Sequence, residues 1–299
     1  MFPHTLSQIM RGVWAIRPED ALAQKEIILN ILTSTVKNEY TTTSKLSDDC
    51  PIIRCSDSGE CEENRFDSAP KNSVAVISFY GTMVKYGDLC TYGTAEIANV
   101  INEASDCDQI CAIVLRIDSG GGAVNSIAPL TCAINYAQSK NKPVIALCDV
   151  AASAAYWVAA ACDHIMAENN ISSEFGSIGV MCSFVDVRPV LEKQGYKFHE
   201  IYSDMSQDKN AAFHAALRGE YDKIKEEDLN PLALSFRDHV IKHRPNLIES
   251  TPGILSGKMF WCNDALSNGL IDSIGNIDDA CALAKKRAGI MAVNKLLNQ

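Results

Sequence analysis

An α/β fold with parallel strands joined by crossover helices is predicted for residues 73–290 of this 299-residue chain. Three observations predict it. Apolar, partly β-branched runs of strand length recur at 74–81, 111–117 and 144–150. Segments with apolar residues at helical spacing lie between them, at 94–104 (Ile97, Val100 and Ile101 on one face) and 127–139. The alternation strand, helix, strand, helix requires parallel pairing with crossovers.

In order along the chain, residues 5–33 read as helical. Pro18-Glu19-Asp20 opens a second segment whose apolar positions are Ala21, Ile27, Ile28, Ile31 and Leu32. From 33 to 72 the composition turns to Ser, Thr, Asp, Glu and Asn, as in a linker or loop. Residues 1–72 are therefore expected to be an arm and linker, 73–290 the main domain and 291–299 a tail. Within the domain, the strand at 111–117 runs into Asp118-Ser119-Gly120-Gly121-Gly122, and the strand at 144–150 runs into Ala-rich sequence that favours helix. Short strands are expected at 164–167, from 178 and at 198–202. A helix at 190–195 is closed by Gly195. A polar loop at 203–210 carries Lys209, a long amphipathic helix covers 211–242, and a last helix covers 277–288.

Composition narrows the function. Hydrophobic residues make up 47% and charged residues 21%, as in a globular protein, and the net charge of −10 argues against a general nucleic-acid surface. The start of the chain lacks the charged, apolar and small-residue succession of a signal peptide. The most apolar window, 144–162, carries Asp149 and is alanine-rich, so no membrane span is expected. Of twelve cysteines, Cys107, Cys111, Cys132, Cys148, Cys162 and Cys182 lie in apolar periodic segments, which fits free thiols in a reducing compartment. Cys50, Cys55 and Cys61 are spaced too widely for a zinc knuckle and no His pair accompanies them, so no metal site is expected there.

The chemistry centres on residues 144–180. Ser153 sits at the change from strand to Ala-rich helix, between pairs of alanines. A hydroxyl at a strand–turn–helix junction resembles a nucleophile elbow, although Gly-x-Ser-x-Gly is absent. An ordinary helix N-cap serine would have the same sequence. The run Ser119-Gly120-Gly121-Gly122 lacks phosphate-loop spacing. Either it is a plain turn or its N–H groups, with that of Ala154, form a two-donor oxyanion hole. None of the six histidines stands in a motif with an acidic partner. A serine–lysine dyad is the other arrangement, and Lys209 is its candidate base.

Taken together, Ser119-Gly-Gly-Gly122, Lys142-Pro143-Val144, Ala151-Ala-Ser-Ala-Ala-Tyr-Trp157, Gly176-Ser-Ile-Gly-Val180 and Gly269-Leu-Ile-Asp272 are similar to motifs of the signal peptide peptidase A family of serine peptidases (family 49). The short prophage members of the capsid protein C type are especially similar. The resemblance covers about residues 73–285. It implies a Clp-protease/crotonase-like fold of repeated ββα units and no cofactor. It implies Ser153 as nucleophile, Lys209 as base, oxyanion donors at Gly121, Gly122 and Ala154, and Ser177 orienting the lysine. It also implies a homo-oligomeric ring in which dyad and pocket are completed across subunits. Gly120 stands where the family has proline. The segment before Lys209 lacks the glycine common in the family, so Lys193 and Lys197 remain alternatives.

The expectation is thus a serine endopeptidase acting in the cytoplasm. Its substrates would be peptides, either scaffold or portal-type proteins in a phage prohead or cleaved signal peptides. A crotonase-type acyl-CoA enzyme and a non-catalytic assembly protein are the rivals.

Overall fold

The computed structural model describes residues 66–87 and 92–297, together with the short strands at 14–16, 52–56 and 59–60. In order, these strands are β1 (Trp14–Ile16), β2 (Ile52–Ser56) and β3 (Gly59–Glu60), followed by β4 (Ser73–Tyr80), helix α1 (Thr94–Asp106) and β5 (Ile110–Ser119). Then come β6 (Gly121–Ala123), α2 (Ile127–Ser139), β7 (Val144–Ala152), α3 (Ala154–Ala160), β8 (His164–Ala167) and β9 (Glu174–Gly176). The C-terminal part holds α4 (Arg188–Lys193), α5 (Ala211–Leu217), α6 (Asn230–His243), β10 (Met259–Trp261), α7 (Cys262–Ser267), β11 (Ser273–Ile274) and α8 (Ile277–Leu297).

The fold is the expected parallel α/β type. The main sheet runs β10-β9-β7-β5-β4-β2-β3, and β4/β5, β5/β7, β7/β8 and β7/β9 are parallel. Antiparallel strands end this path on both sides, β10 on β9 and β2 with β3 beyond β4, while β8 and its parallel partner β11 branch from β7. Side chains alternate between the two faces of each strand. On β4, Ala75 and Ile77 join the cluster beneath α1, α2 and α3, whereas Val74 and Val76 join Ala280 and Ala284 of α8 on the other face. Both faces are thus covered, which is why these strands read as continuous apolar runs rather than alternating ones.

Two details of β7 place the functional site. Its first half pairs with β8 through Ile145–Cys148, and its last three residues pair with β9. Against β5, the register passes from Ile117↔Cys148 to Ser119↔Ala151, so β7 carries one extra residue just before Ser153. An inserted residue bends a strand and increases its twist.

Several elements differ from expectation. Residues 178–180 do not start a strand, because β9 has already ended at Gly176. Residues 198–202 form no strand, and the expected helix at 211–242 is broken. Gly219, at φ 84°, closes its first part, and Asp222–Ile224 and the π-helical Lys225–Leu229 lead into α6. The last helix runs on to Leu297, through residues expected to be a tail. Trp14–Ile16, inside a stretch expected to be helical, is extended and pairs with β6. The rest of residues 5–33, and the 33–72 stretch apart from β2, β3 and residues 66–72, lie outside the described residues. No described helix is long and apolar enough to cross a membrane.

Candidate active site

Ser153 is the joint between β7 and α3, with φ 55° and ψ −120°. That combination lies outside the regions ordinarily open to an L-residue and costs on the order of 1–3 kcal/mol. The neighbouring chain holds it there. The Ser153 N–H donates to the Gly176 carbonyl at 2.8 Å, and the Trp157 N–H donates to the Ser153 carbonyl at 3.0 Å, which starts the helix. Ala151, Ala152, Ala154 and Ala155 are fully buried around it, and only small side chains leave room for so sharp a turn.

The sequence left two roles open for this serine. As an N-cap, its oxygen would accept an N–H of the first helical turn from an extended backbone. It makes no such bond, and its backbone is not extended. The hydroxyl instead donates to the Gly179 carbonyl at 3.4 Å. A strained serine between strand and helix, with a hydroxyl that caps nothing, is the geometry of a nucleophile elbow.

The segment Gly176-Ser177-Ile178-Gly179 grips the elbow from both ends. Gly176 sits at φ 127°, and a Cβ there would lie 2.5 Å from the Lys258 carbonyl oxygen, so only glycine fits. Ser177, at φ 52°, donates its N–H to the same carbonyl at 3.0 Å. Gly269-Leu270-Ile271-Asp272 anchors the elbow helix from behind. The buried Tyr156 hydroxyl donates to the Leu270 carbonyl at 2.8 Å, and the Arg244 guanidinium donates to the Gly269 carbonyl and to both oxygens of Asp272. Burial alone would raise the Asp272 carboxyl, but the hydrogen bonds and charge of Arg244, with the Ile165 N–H, outweigh it and hold it below the usual carboxylate range.

The glycine run lies beside the elbow, with β6 against α3. The Gly121 N–H already donates to the Ser119 hydroxyl at 3.1 Å. The Met83 N–H donates to the Gly121 carbonyl and the Ala123 N–H to the Met83 carbonyl, both at 2.9 Å. Because backbone groups alternate in direction along a strand, those of Gly122 point to the opposite edge. Of the two expected glycine donors, Gly122 is therefore the one not tied back into the loop. A Cβ on Gly122 would lie 2.0 Å from the Met83 carbonyl oxygen. Gly122→Ala is expected to cost about 1–3 kcal/mol of stability by denaturant unfolding, as overpacking does.

Lys209 is exposed just before α5, beside an open groove of about 700 Å³ lined in part by Tyr202, Gln207 and His214. Lys193 and Lys197 are exposed as well. Among the described residues no hydrogen bond joins any of these lysines to Ser153, whose hydroxyl bonds the Gly179 carbonyl. Sequence reasoning gave no role to the stack beside the elbow helix. Trp157 lies on Phe236 with ring centroids 4.5 Å apart, and His239 packs on Trp157. Burial, helped by neighbouring His243, pushes His239 down to about 4, so its ring is neutral at pH 7. No group of three or more metal-ligating side chains occurs among the described residues.

The family model for Peptidase family S49 matches residues 136–291, which contain the elbow, the gripping turn and the Asp272 anchor. The chain belongs to peptidase family S49. This S49 chain is 30% identical over 226 residues to the chloroplastic serine protease SPPA of Arabidopsis thaliana, a match covering 74% of this chain and 33% of that protein. It is 28% identical over 219 residues to the head-tail preconnector protein GP5 of Enterobacteria phage P21, covering 71% and 42%. The S49 chain thus spans about a third of the chloroplast relative and less than half of the phage one. Among solved structures, a membrane-bound stomatin-specific protease in complex with a substrate peptide is similar at 16% identity and a TM-score of 0.40, covering 70% of this chain and 78% of that one.

Proposed function

We propose that this S49 member is a serine endopeptidase in which Ser153 attacks the peptide carbonyl and Lys209 of a neighbouring copy is the base. A neutral Lys209 amine takes the Ser153 proton as the oxygen bonds to the carbonyl carbon. The oxyanion rests on the Gly122 and Ala154 N–H groups, while Gly121 and Ser119 hold the glycine turn. The amine then passes the proton to the leaving nitrogen and activates the water that releases the acyl group. Ser177 orients the amine. The observation that carries this reading is the strained Ser153 turn with its uncapping hydroxyl.

Completion of the dyad by a second subunit is supported by where the apolar surface lies. Val190, Tyr196, Ile201, Met205 and Phe213, in and around the lysine-bearing segment, are all exposed, and Ile201 and Met205 are more than nine-tenths exposed. So much apolar surface in one region calls for a cover, and a ring of identical chains provides one. Of the two substrate classes expected from the sequence, a scaffold or portal-type protein fits the likeness to a head-tail preconnector protein, and signal peptides are the alternative.

Fluorophosphonate labelling followed by mass spectrometry tests the assignment. The adduct is expected on Ser153 in the wild type and is expected to be lost in Lys209→Ala. Labelling that survives Lys209→Ala unchanged would remove Lys209 as base. Assembled protein that neither labels nor cleaves casein would favour an assembly role. A Ser153→Ala variant with full thioesterase or hydratase activity would favour an acyl-CoA enzyme.

A further inference from the structure

β6 is three residues long and has two edges. One is taken by Met83, and the other, toward which the Gly122 N–H and carbonyl point, is taken by β1. The register is antiparallel, with Trp14 opposite Ala123, Ala15 opposite Gly122 and Ile16 opposite Gly121. Since the Gly122 groups face this edge, Ala15↔Gly122 is the hydrogen-bonding pair, and the Ala15 carbonyl lies on the Gly122 N–H. β1 also lies against α3, the helix that begins at the elbow. These two strands form a sheet of their own, and the Met83 bridge to Gly122 lies on its other side.

We propose that residues 14–16 act as a built-in competitor, occupying the edge of β6 on which an extended peptide must lie to present its carbonyl to Gly122 and Ser153. This rests on the peptidase reading above and adds a regulated state to it. Three features support the assignment. The N–H that β1 engages is the one left to receive an oxyanion. An extended peptide added to an open strand edge would use the same pair of Gly122 groups. Among the described residues β1 pairs through three positions, a short contact that a longer peptide with further contacts displaces. In the closed state, the fraction of molecules with a free edge scales the apparent affinity for substrate.

Ala15→Pro in the full-length chain removes the N–H of the central pair. A second variant, Trp14→Gly/Ala15→Gly/Ile16→Gly, keeps every backbone group but weakens the strand by entropy. Casein-type cleavage and fluorophosphonate labelling are measured side by side for both variants and the wild type. The expected result is an apparent KM about fivefold or more lower in both variants, with kcat little changed, because a competitor is overcome at saturating substrate. Unchanged KM in both variants, with Ser153 still labelled, would overturn the competitor and leave the peptidase standing. A fall in kcat instead of KM would overturn it as well, by making β1 a structural prop. Absence of labelling in all three proteins would bring down the peptidase reading, and this inference with it.

Discussion

On the proposed peptidase reading, Ser153→Ala is expected to abolish peptide cleavage, lowering kcat by at least about a thousandfold with KM nearly unchanged, because the proposed nucleophile acts only in the chemical steps. The fold is expected to survive, since the Ser153 side chain contributes one long hydrogen bond, to the Gly179 carbonyl. A second substitution at the same position separates chemistry from strain. At φ 55° and ψ −120°, alanine bears the same backbone cost as serine, whereas glycine does not. Ser153→Gly should therefore be as inactive as Ser153→Ala yet more stable by about 1 kcal/mol, raising the melting temperature by about 2–4 °C. Calorimetry on the two variants checks this. Equal melting temperatures would mean that the turn stores no strain, and the strongest structural argument for a nucleophile would be lost.

The second large effect lies away from the hydroxyl. Arg244 is only 6% exposed and binds Asp272 through two nitrogens, at 2.8 and 2.7 Å. Removing one partner leaves a buried charge without its counter-ion, so Asp272→Ala is expected to destabilise the domain by about 3 kcal/mol. Arg244→Met combined with Asp272→Leu should recover much of that loss, because no uncompensated charge remains. The pH dependence follows from the lowered Asp272 carboxyl. A carboxyl whose folded value is depressed stabilises fully above its unfolded value of about 3.9 and loses that contribution as pH falls through the lower folded value. Wild type and Asp272→Asn should therefore differ in melting temperature at pH 7, begin to converge as pH falls below about 4, and meet only below the depressed folded value. A gap that stays constant from pH 7 to pH 3 would contradict the ion pair. Because Leu270 in the same segment accepts the Tyr156 hydroxyl, loosening this anchor should also disorder the elbow helix.

Much of the fold was legible because periodicity records burial. β4, β5 and β7 are covered on both faces, so their apolar residues run without a break, and a continuous run of strand length has few other uses. Legibility fails where one local pattern fits two structures. Residues 211–242 keep helical spacing across a break at Gly219, and apolar spacing does not report a break. Residues 198–202 have strand-like composition but join no strand among the described residues. The N-terminal stretch reads as helix mainly from Pro18-Glu19-Asp20 and the spaced apolar residues after it, but Trp14-Ala15-Ile16, ahead of that signal, is the kind of short apolar run that an exposed strand edge captures.

The sequence by itself determined the parallel α/β class, the order of the central strands and helices, and the singling out of Ser153, since each is written in residues adjacent in the chain. Whether that serine caps a helix or stands strained and uncapped was decided only in three dimensions, because the bond that fixes its backbone comes from Gly176, twenty-three residues on. Which glycine keeps a usable N–H was decided in the same way, by Ser119 and Met83. The strand that lies on that glycine comes from more than a hundred residues earlier, and backbone pairing at such a distance leaves no trace in local spacing.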